Sequence, residues 1–211
     1  MSCKGYIMSL AVSVLMMFPF VSGAQSPALL DRLYAEMSKS CMDMTYTYVI
    51  RMSGIDNNGQ GTVLSQDPMW KVCGNGVVMY CDSETVWIVD PAMKEVVLEP
   101  APEVEQQQWM SNPAVVFSRL DELFYIDKNL DSPDGKAEIY VMKPRTGSDI
   151  DYCNIELNKS DASIRRAAVA LSDGTLIKIE VSSMKLTPKL SVEAFRPQTV
   201  FDSSWIINDL R

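Results

Sequence analysis

The 211-residue chain contains no histidine. That excludes Ser-His-Asp and Cys-His nucleophile pairs, and every zinc site built on imidazole. Its five cysteines show no C-x-x-C spacing, which removes thiol-redox and zinc-ribbon chemistry. Positive charge is scarce: 19 Lys and Arg face 27 Asp and Glu, for a formal net charge of −8. Such a protein has no electrostatic reason to bind nucleic acid or an anionic membrane surface. No Gly-rich loop precedes a helix where it would cradle phosphate, since Gly74-Asn75-Gly76 reads as a hairpin turn. Beyond residue 24 no apolar run is long enough to cross a bilayer.

Carboxylate chemistry has little more support. Asp121-Glu122 and Asp149/Asp151 are the nearest pairs for glycoside-type hydrolysis, and in an acidic chain they read as solvated surface. Asp131-x-x-Asp134-Gly135 lacks the further ligands of a calcium loop and reads as a turn. The expectation is a non-enzyme with no metal and no cofactor.

Residues 1–24 read as a secretory signal. Lys4 supplies the basic start, Ile7 to Val21 the apolar stretch, and Ser22-Gly23-Ala24 the small-residue cleavage pattern. Pro19 interrupts the run, which is short for a membrane span, and Cys3 precedes it, so no lipid-attachment cysteine follows it. Cleavage near Ala24 leaves residues 25–211 as one exported domain with four cysteines, Cys41, Cys73, Cys81 and Cys153. Export permits disulfides, in three possible pairings. Cys73 and Cys81 flank one hairpin at positions where regular pairing does not bring Cα atoms within roughly 7 Å. Free, buried thiols are the other reading.

Ser26-Pro27 starts a helix, an N-cap hydroxyl before a proline in the first turn. Leu30, Leu33, Tyr34, Met37 and Cys41 recur at helical spacing. From Thr45 the period becomes two, with Tyr46, Tyr48, Ile50 and Met52 on one face, and Asp56-Asn57-Asn58-Gly59 turns the chain into a second strand over 61–66. Four short strands follow, Met69–Cys73, Val77–Asp82, Thr85–Val89 and Lys94–Leu98, joined by Gly74-Asn75-Gly76, Ser83-Glu84 and Asp90-Pro91-Ala92-Met93. After Pro100-Ala101-Pro102, residues 103–110 read as a short helical segment. Asn112-Pro113 opens a helix with Val116, Phe117, Leu120 and Phe124 along one side. Six further strands are expected near 125–130, 136–143, 151–157, 164–171, 176–183 and 191–195, with Asp134-Gly135 and Asp173-Gly174 as hairpin turns and a last strand near 204–210. The economical fold is mainly β (α+β): one highly curved antiparallel sheet with helices over one opening.

The order Met79-Tyr80-Cys81-Asp82, Ser83-Glu84-Thr85, Val86-Trp87-Ile88-Val89, Asp90-Pro91 and Lys94-Glu95-Val96-Val97 resembles the LolA-like lipoprotein carriers of the periplasm. Asn112-Pro113-Ala114-Val115-Val116, the Asp173-Gly174-Thr175 hairpin and the closing Phe195-Arg196-Pro197 and Ile207-Asn208-Asp209-Leu210-Arg211 are similar to that family in the same order. The resemblance implies an unclosed β-barrel with a helical lid, a periplasmic location and a monomer. The implied function is a chaperone that carries the acyl chains of lipoproteins toward the outer membrane. An inner-membrane releasing complex and an outer-membrane acceptor are its implied partners. It places the lid on the helix from Pro113 to Phe124, with Trp109, Met110, Val116 and Leu120. Some members place an Arg before a Pro on the strand entering the meander, and that Arg ties the lid shut. Here the segment is Gln66-Asp67-Pro68, so a closed state would be held otherwise, with Asp67 as an acceptor or by different contacts.

Ten of the fourteen methionines lie outside the signal segment. Met adapts to ligands of variable shape, and with the tryptophans it either fills a barrel core or lines a cavity; the resemblance favours the cavity. The expected acyl-lining residues are Tyr48, Ile50, Trp70, Met79, Trp87 and Val89. The rival functions are a lipid- or lipoprotein-sensing module with the same fold, and a small hydrolase using a carboxylate pair.

Overall fold

The computed structural model describes residues 28–101, 123–145, 147 and 149–211. Among these residues one helix, α1 (Ala28–Met37), precedes twelve strands: β1 (Ser40–Met52), β2 (Ile55–Gln66), β3 (Met69–Gly74), β4 (Val77–Cys81), β5 (Thr85–Asp90), β6 (Glu95–Pro100), β7 (Phe124–Asp131), β8 (Ala137–Pro144), β9 (Ile150–Asn158), β10 (Ile164–Leu171), β11 (Leu176–Pro188) and β12 (Ile206–Asp209). They form one sheet in the order β12-β6-β5-β4-β3-β2-β1-β11-β10-β9-β8-β7. All neighbours are antiparallel except β12 and β6, which run parallel. β12 and β7 end the sheet without pairing to each other, so the curved sheet stays unclosed, as the sequence leads one to expect.

Local chemistry moved several boundaries. The β1–β2 turn is Ser53-Gly54, not the expected 56–59. Both residues have positive φ, 51° and 80°, which matches a two-residue hairpin to the strand twist. Asp56 to Gly59 instead continue the ladder, and Arg51 holds the Asp56 carboxylate opposite it through Nε at 2.7 Å and Nη2 at 2.8 Å. The helix stops at Met37, so Cys41, expected on its face, lies in β1 opposite Thr187. Residues 191–195, expected as a strand, contain a 3₁₀ turn (Val192–Phe195). Phe124, expected at the end of the lid helix, opens β7 opposite Pro144. The signal segment 1–24 and the lid residues Trp109, Met110, Val116 and Leu120 lie outside the described residues.

Residues directly opposite one another across strand pairs share a side of the sheet. One row runs Met44, Val63, Val72, Met79, Ile88 and Val97, and the next Met42, Ser65, Trp70, Cys81, Val86 and Glu99. In the other direction Tyr48 continues to Ile179, Ala167, Ile155 and Tyr140, and Ile50 to Ile177, Val169, Cys153 and Met142. Leu30 and Leu33 of α1 join this core, which identifies the concave side. Each fully buried aliphatic or thioether side chain there contributes about 1.5–3 kcal/mol.

The two halves of the convex side differ. Over β9 to β11 it is polar: Glu156 sits between Arg165 at 3.1 Å and Arg166 at 3.5 Å, and Arg166 reaches Glu180 at 3.7 Å. Over β2 to β6 it carries Leu64, Tyr80, Trp87, Leu98, Val78, Val89 and Val96 instead. The C-terminal segment straps this apolar half. The Gln66 side chain donates to the Leu190 carbonyl at 3.1 Å and accepts its amide at 2.7 Å. Phe195 is fully buried, Arg196 binds Asp82, and β12 then pairs with β6.

Candidate ligand-binding trough

The concave side forms an apolar trough graded along its length. Where α1 packs, Met42, Trp70, Cys81, Val86, Leu157 and Ile164 are buried. Toward the β1–β2 turn, Tyr48, Ile50, Val169 and Ile177 are half-buried, as are Met79 and Ile88 farther round the sheet. Met52, on the same face of β1, is 52% exposed. The trough is sealed at one end and accessible at the other.

Two glycines shape its floor. A Cβ at Gly61 would lie 2.7 Å from the Tyr46 hydroxyl, and one at Gly59 2.5 Å from the Tyr48 hydroxyl. Both rings therefore lie over bare backbone of β2, 6.3 Å apart by centroid. Asn75 in the β3–β4 turn donates its side-chain N–H to the Tyr48 oxygen.

Burial keeps the phenols of Tyr46 and Tyr140 and the thiols of Cys81 and Cys153 neutral near pH 7. Burial, with smaller effects from Tyr48 and Cys73, pushes the Tyr46 phenol up to about 12. Burial likewise raises the Cys81 thiol, and pushes the Cys153 thiol up to about 12. Tyr140 is raised by burial and by Glu138, which accepts its O–H at 2.6 Å; the Leu29 and Leu30 amides at the start of α1 pull the other way. Carboxylates share the concave side toward the two borders of the sheet: Glu95 and Glu99 flank Val97 on β6, and Glu138 of β8 lies opposite Leu157. A hollow of about 200 Å³ lies beside the sealed end, lined by Arg32, Leu33, Glu36, Asp161, Ala162, Ser163, Met184 and Leu186.

Four of the six residues expected to line the cavity, Tyr48, Ile50, Trp70 and Met79, share this concave side. Trp87 and Val89 do not join them. They stand on the convex side, opposite Tyr80 and Val78, over the half that the C-terminal strap crosses. The cause is visible in β5: Thr85 to Val89 is apolar on both faces because one meets the core and the other the strap, so alternation cannot distinguish them. The expected set omitted Met42, Met44, Ile88, Ile177 and Ile179; alternation from Tyr46 back along β1 could have found the first two. Gln66 serves the strap, and Asp67 is exposed in the β2–β3 turn. Cys73 and Cys81 lie on opposite sides of the sheet, and all four described cysteines are free thiols.

Among the described residues no group of three or more Cys, Asp and Glu is placed to hold a metal, and no helix is long and apolar enough to cross a membrane.

Known proteins share the family and the fold. The profile of the family described as outer membrane lipoprotein carrier protein LolA matches residues 74–198. An uncharacterized conserved protein from Thermus thermophilus shares the fold, with a TM-score of 0.54 at 12% identity over 86% of this chain and 97% of that one. A LolA superfamily protein from Nitrosomonas europaea aligns with a TM-score of 0.43 at 12% identity, over 81% and 96% of the two chains. No curated protein matches at a significant level.

Proposed function

The chain belongs to the LolA family of outer membrane lipoprotein carrier proteins, and we propose that it works as an exported, periplasmic carrier of lipoproteins. In this reading the trough shields the acyl chains of its cargo on the way to the outer membrane, without catalysis or a cofactor. The observation that supports it is the apolar middle of the concave side, sealed at α1 and open toward Met52. Transfer of each CH₂ group from water into such a space contributes about 0.8 kcal/mol, so a chain of a dozen methylenes gains roughly 10 kcal/mol before the costs of association. No specific polar recognition is needed, which suits many cargoes sharing one kind of lipid anchor.

Residues 25–211, titrated with a fluorescent fatty acid and extracted for bound lipid, provide the test. Saturable binding and co-purified lipid are expected, followed by transfer of an acylated protein from donor to acceptor vesicles. Absence of both lipid binding and lipoprotein complexes would sink the reading. Stable binding with no transfer would favour a sensing module instead.

A further inference from the structure

The two edges that border the opening of the sheet are built differently. β7 is guarded by a bulge between Ile126 and Lys128 and by charges, with Asp127 facing Lys143 at 3.6 Å and Asp131 paired with Lys159. Such features deter strand addition. β12 has neither bulge nor charge pair across to a neighbouring strand. Its Ile206 and Leu210 amides donate to the Lys94 and Leu98 carbonyls of β6 at 2.8 Å. Alternation in a parallel ladder then turns the main-chain groups of Ile207 and Asp209 away from β6. Among the described residues no strand covers that side. Ile206, Ile207 and Leu210 are 57%, 51% and 64% exposed.

The concave border beside this edge is acidic. Glu95 and Glu99 face inward from β6, and the Asn208 side chain donates to Glu95 at 2.8 Å. Hydrocarbon gains nothing from outward-turned main-chain groups and carboxylates. An extended polypeptide with a basic side chain satisfies all of them.

We infer that the outer edge of β12 docks the extended polypeptide segment next to the acylated end of the cargo, by strand addition at Ile207 and Asp209, with Glu95 and Glu99 receiving a Lys or Arg of that segment. The inference rests on the carrier reading and extends it from the lipid to the peptide. A second copy of this chain is a poorer occupant. Two facing four-residue strands give far less than the roughly 1,000 Å² expected of a stable interface, whereas a tethered peptide is held at high effective concentration by its own acyl chain.

The probes are a palmitoylated ten-residue peptide of alternating Val and Thr with one Lys, the same lipopeptide N-methylated at alternate residues, and free fluorescent fatty acid. The unmethylated lipopeptide should bind roughly ten-fold more tightly than its N-methylated form. Ile207→Pro removes an outward N–H and spares the β6 ladder, so the ratio should fall to about one while the fatty-acid affinity serves as reference. Replacing the peptide's Lys by Glu should also reduce the ratio. Equal affinity of the two lipopeptides for the unaltered protein overturns the inference but leaves the carrier reading standing. Failure to bind any of the three probes overturns both. Because N-methylation acts on the ligand, the result does not depend on how Ile207→Pro folds.

Discussion

Arg196 Nε donates to the Asp82 carboxylate at 2.6 Å, joining residues 114 positions apart. Asp82 directly follows β4 and its side chain is 3% exposed. Its other oxygen accepts the Glu84 and Thr85 amides, both at 3.0 Å, which shape the β4–β5 turn. One carboxylate thus orders a hairpin and fastens the C-terminal strap over it. Asp82→Ala leaves two amides and a guanidinium without their acceptor and should cost about 3 kcal/mol. A chain of this size should then melt about 6–12 °C lower. Differential scanning calorimetry checks this; an unchanged melting temperature would remove the clasp from the account.

The same carboxyl sets a pH dependence. Burial acts to raise it, but the Thr85 and Glu84 amides and Arg196 together outweigh burial and hold it below its ordinary value. The folded value therefore lies below the unfolded one, which is about 3.9. Its stabilisation is complete above about pH 5 and is lost as pH falls through the folded value. The stability gap between the native chain and Asp82→Asn, measured by urea unfolding, should stay constant from about pH 5 to 8 and narrow below about pH 4. A gap that widens on acidification would contradict the assigned sign.

The glycines under Tyr46 and Tyr48 should respond unequally. A Cβ at Gly61 meets the Tyr46 hydroxyl at 2.7 Å and the Cys73 backbone carbonyl at 2.8 Å, and the carbonyl cannot move without the β2–β3 ladder. Gly61→Ala should destabilise by about 2–3 kcal/mol. At Gly59 the nearest atoms belong to the side chains of Tyr48 and Asn75, which can swing outward. Gly59→Ala should cost less, and should increase the solvent exposure of Tyr48 by solvent-perturbation spectroscopy. Equal losses for the two variants would mean that the rim tyrosine is as fixed as the deeper one.

Face should separate binding from stability. Met79→Glu puts a charge on the concave side and should weaken fatty-acid binding at least about ten-fold. Trp87→Ala acts on the convex side, where it removes apolar surface from the strapped half. It should lower stability by about 2 kcal/mol with fatty-acid affinity unchanged. The reverse pattern in the two titrations would exchange the roles of the faces.

Thiol chemistry offers an independent reading of burial. In a protein comprising residues 25–211, Cys73 is half-buried, whereas Cys41, Cys81 and Cys153 are buried with thiols raised by burial. A maleimide should label one site quickly in the native state and the other three only on unfolding. Rapid native labelling at Cys81 or Cys153, which stand on the concave side, would show that the trough admits the reagent.

Much of the sheet was legible because its signals are local. The turns at Asn75-Gly76, Asp134-Gly135 and Asp173-Gly174, the alternation from Tyr46 to Met52, and the absence of histidine all act within a few residues or across the whole composition. Trp87 and Val89 were not legible, because a strand buried on both faces has no period to read. The strap was misread as a strand near 191–195 for a related reason: its apolar residues answer to the convex surface of β3 to β6, not to a ladder of their own.

The amino-acid sequence alone determined an acidic, mainly β chain without histidine, and placed most of its strands. Period and turn chemistry are encoded between neighbours. Only the tertiary structure decided which side of each strand faces the trough, that the trough is sealed at α1 and open toward Met52, and that Arg196 meets Asp82. Those outcomes depend on register between strands and on contacts over 114 residues of chain. Burial supplies the energy for them only once the whole sheet has curved around its core.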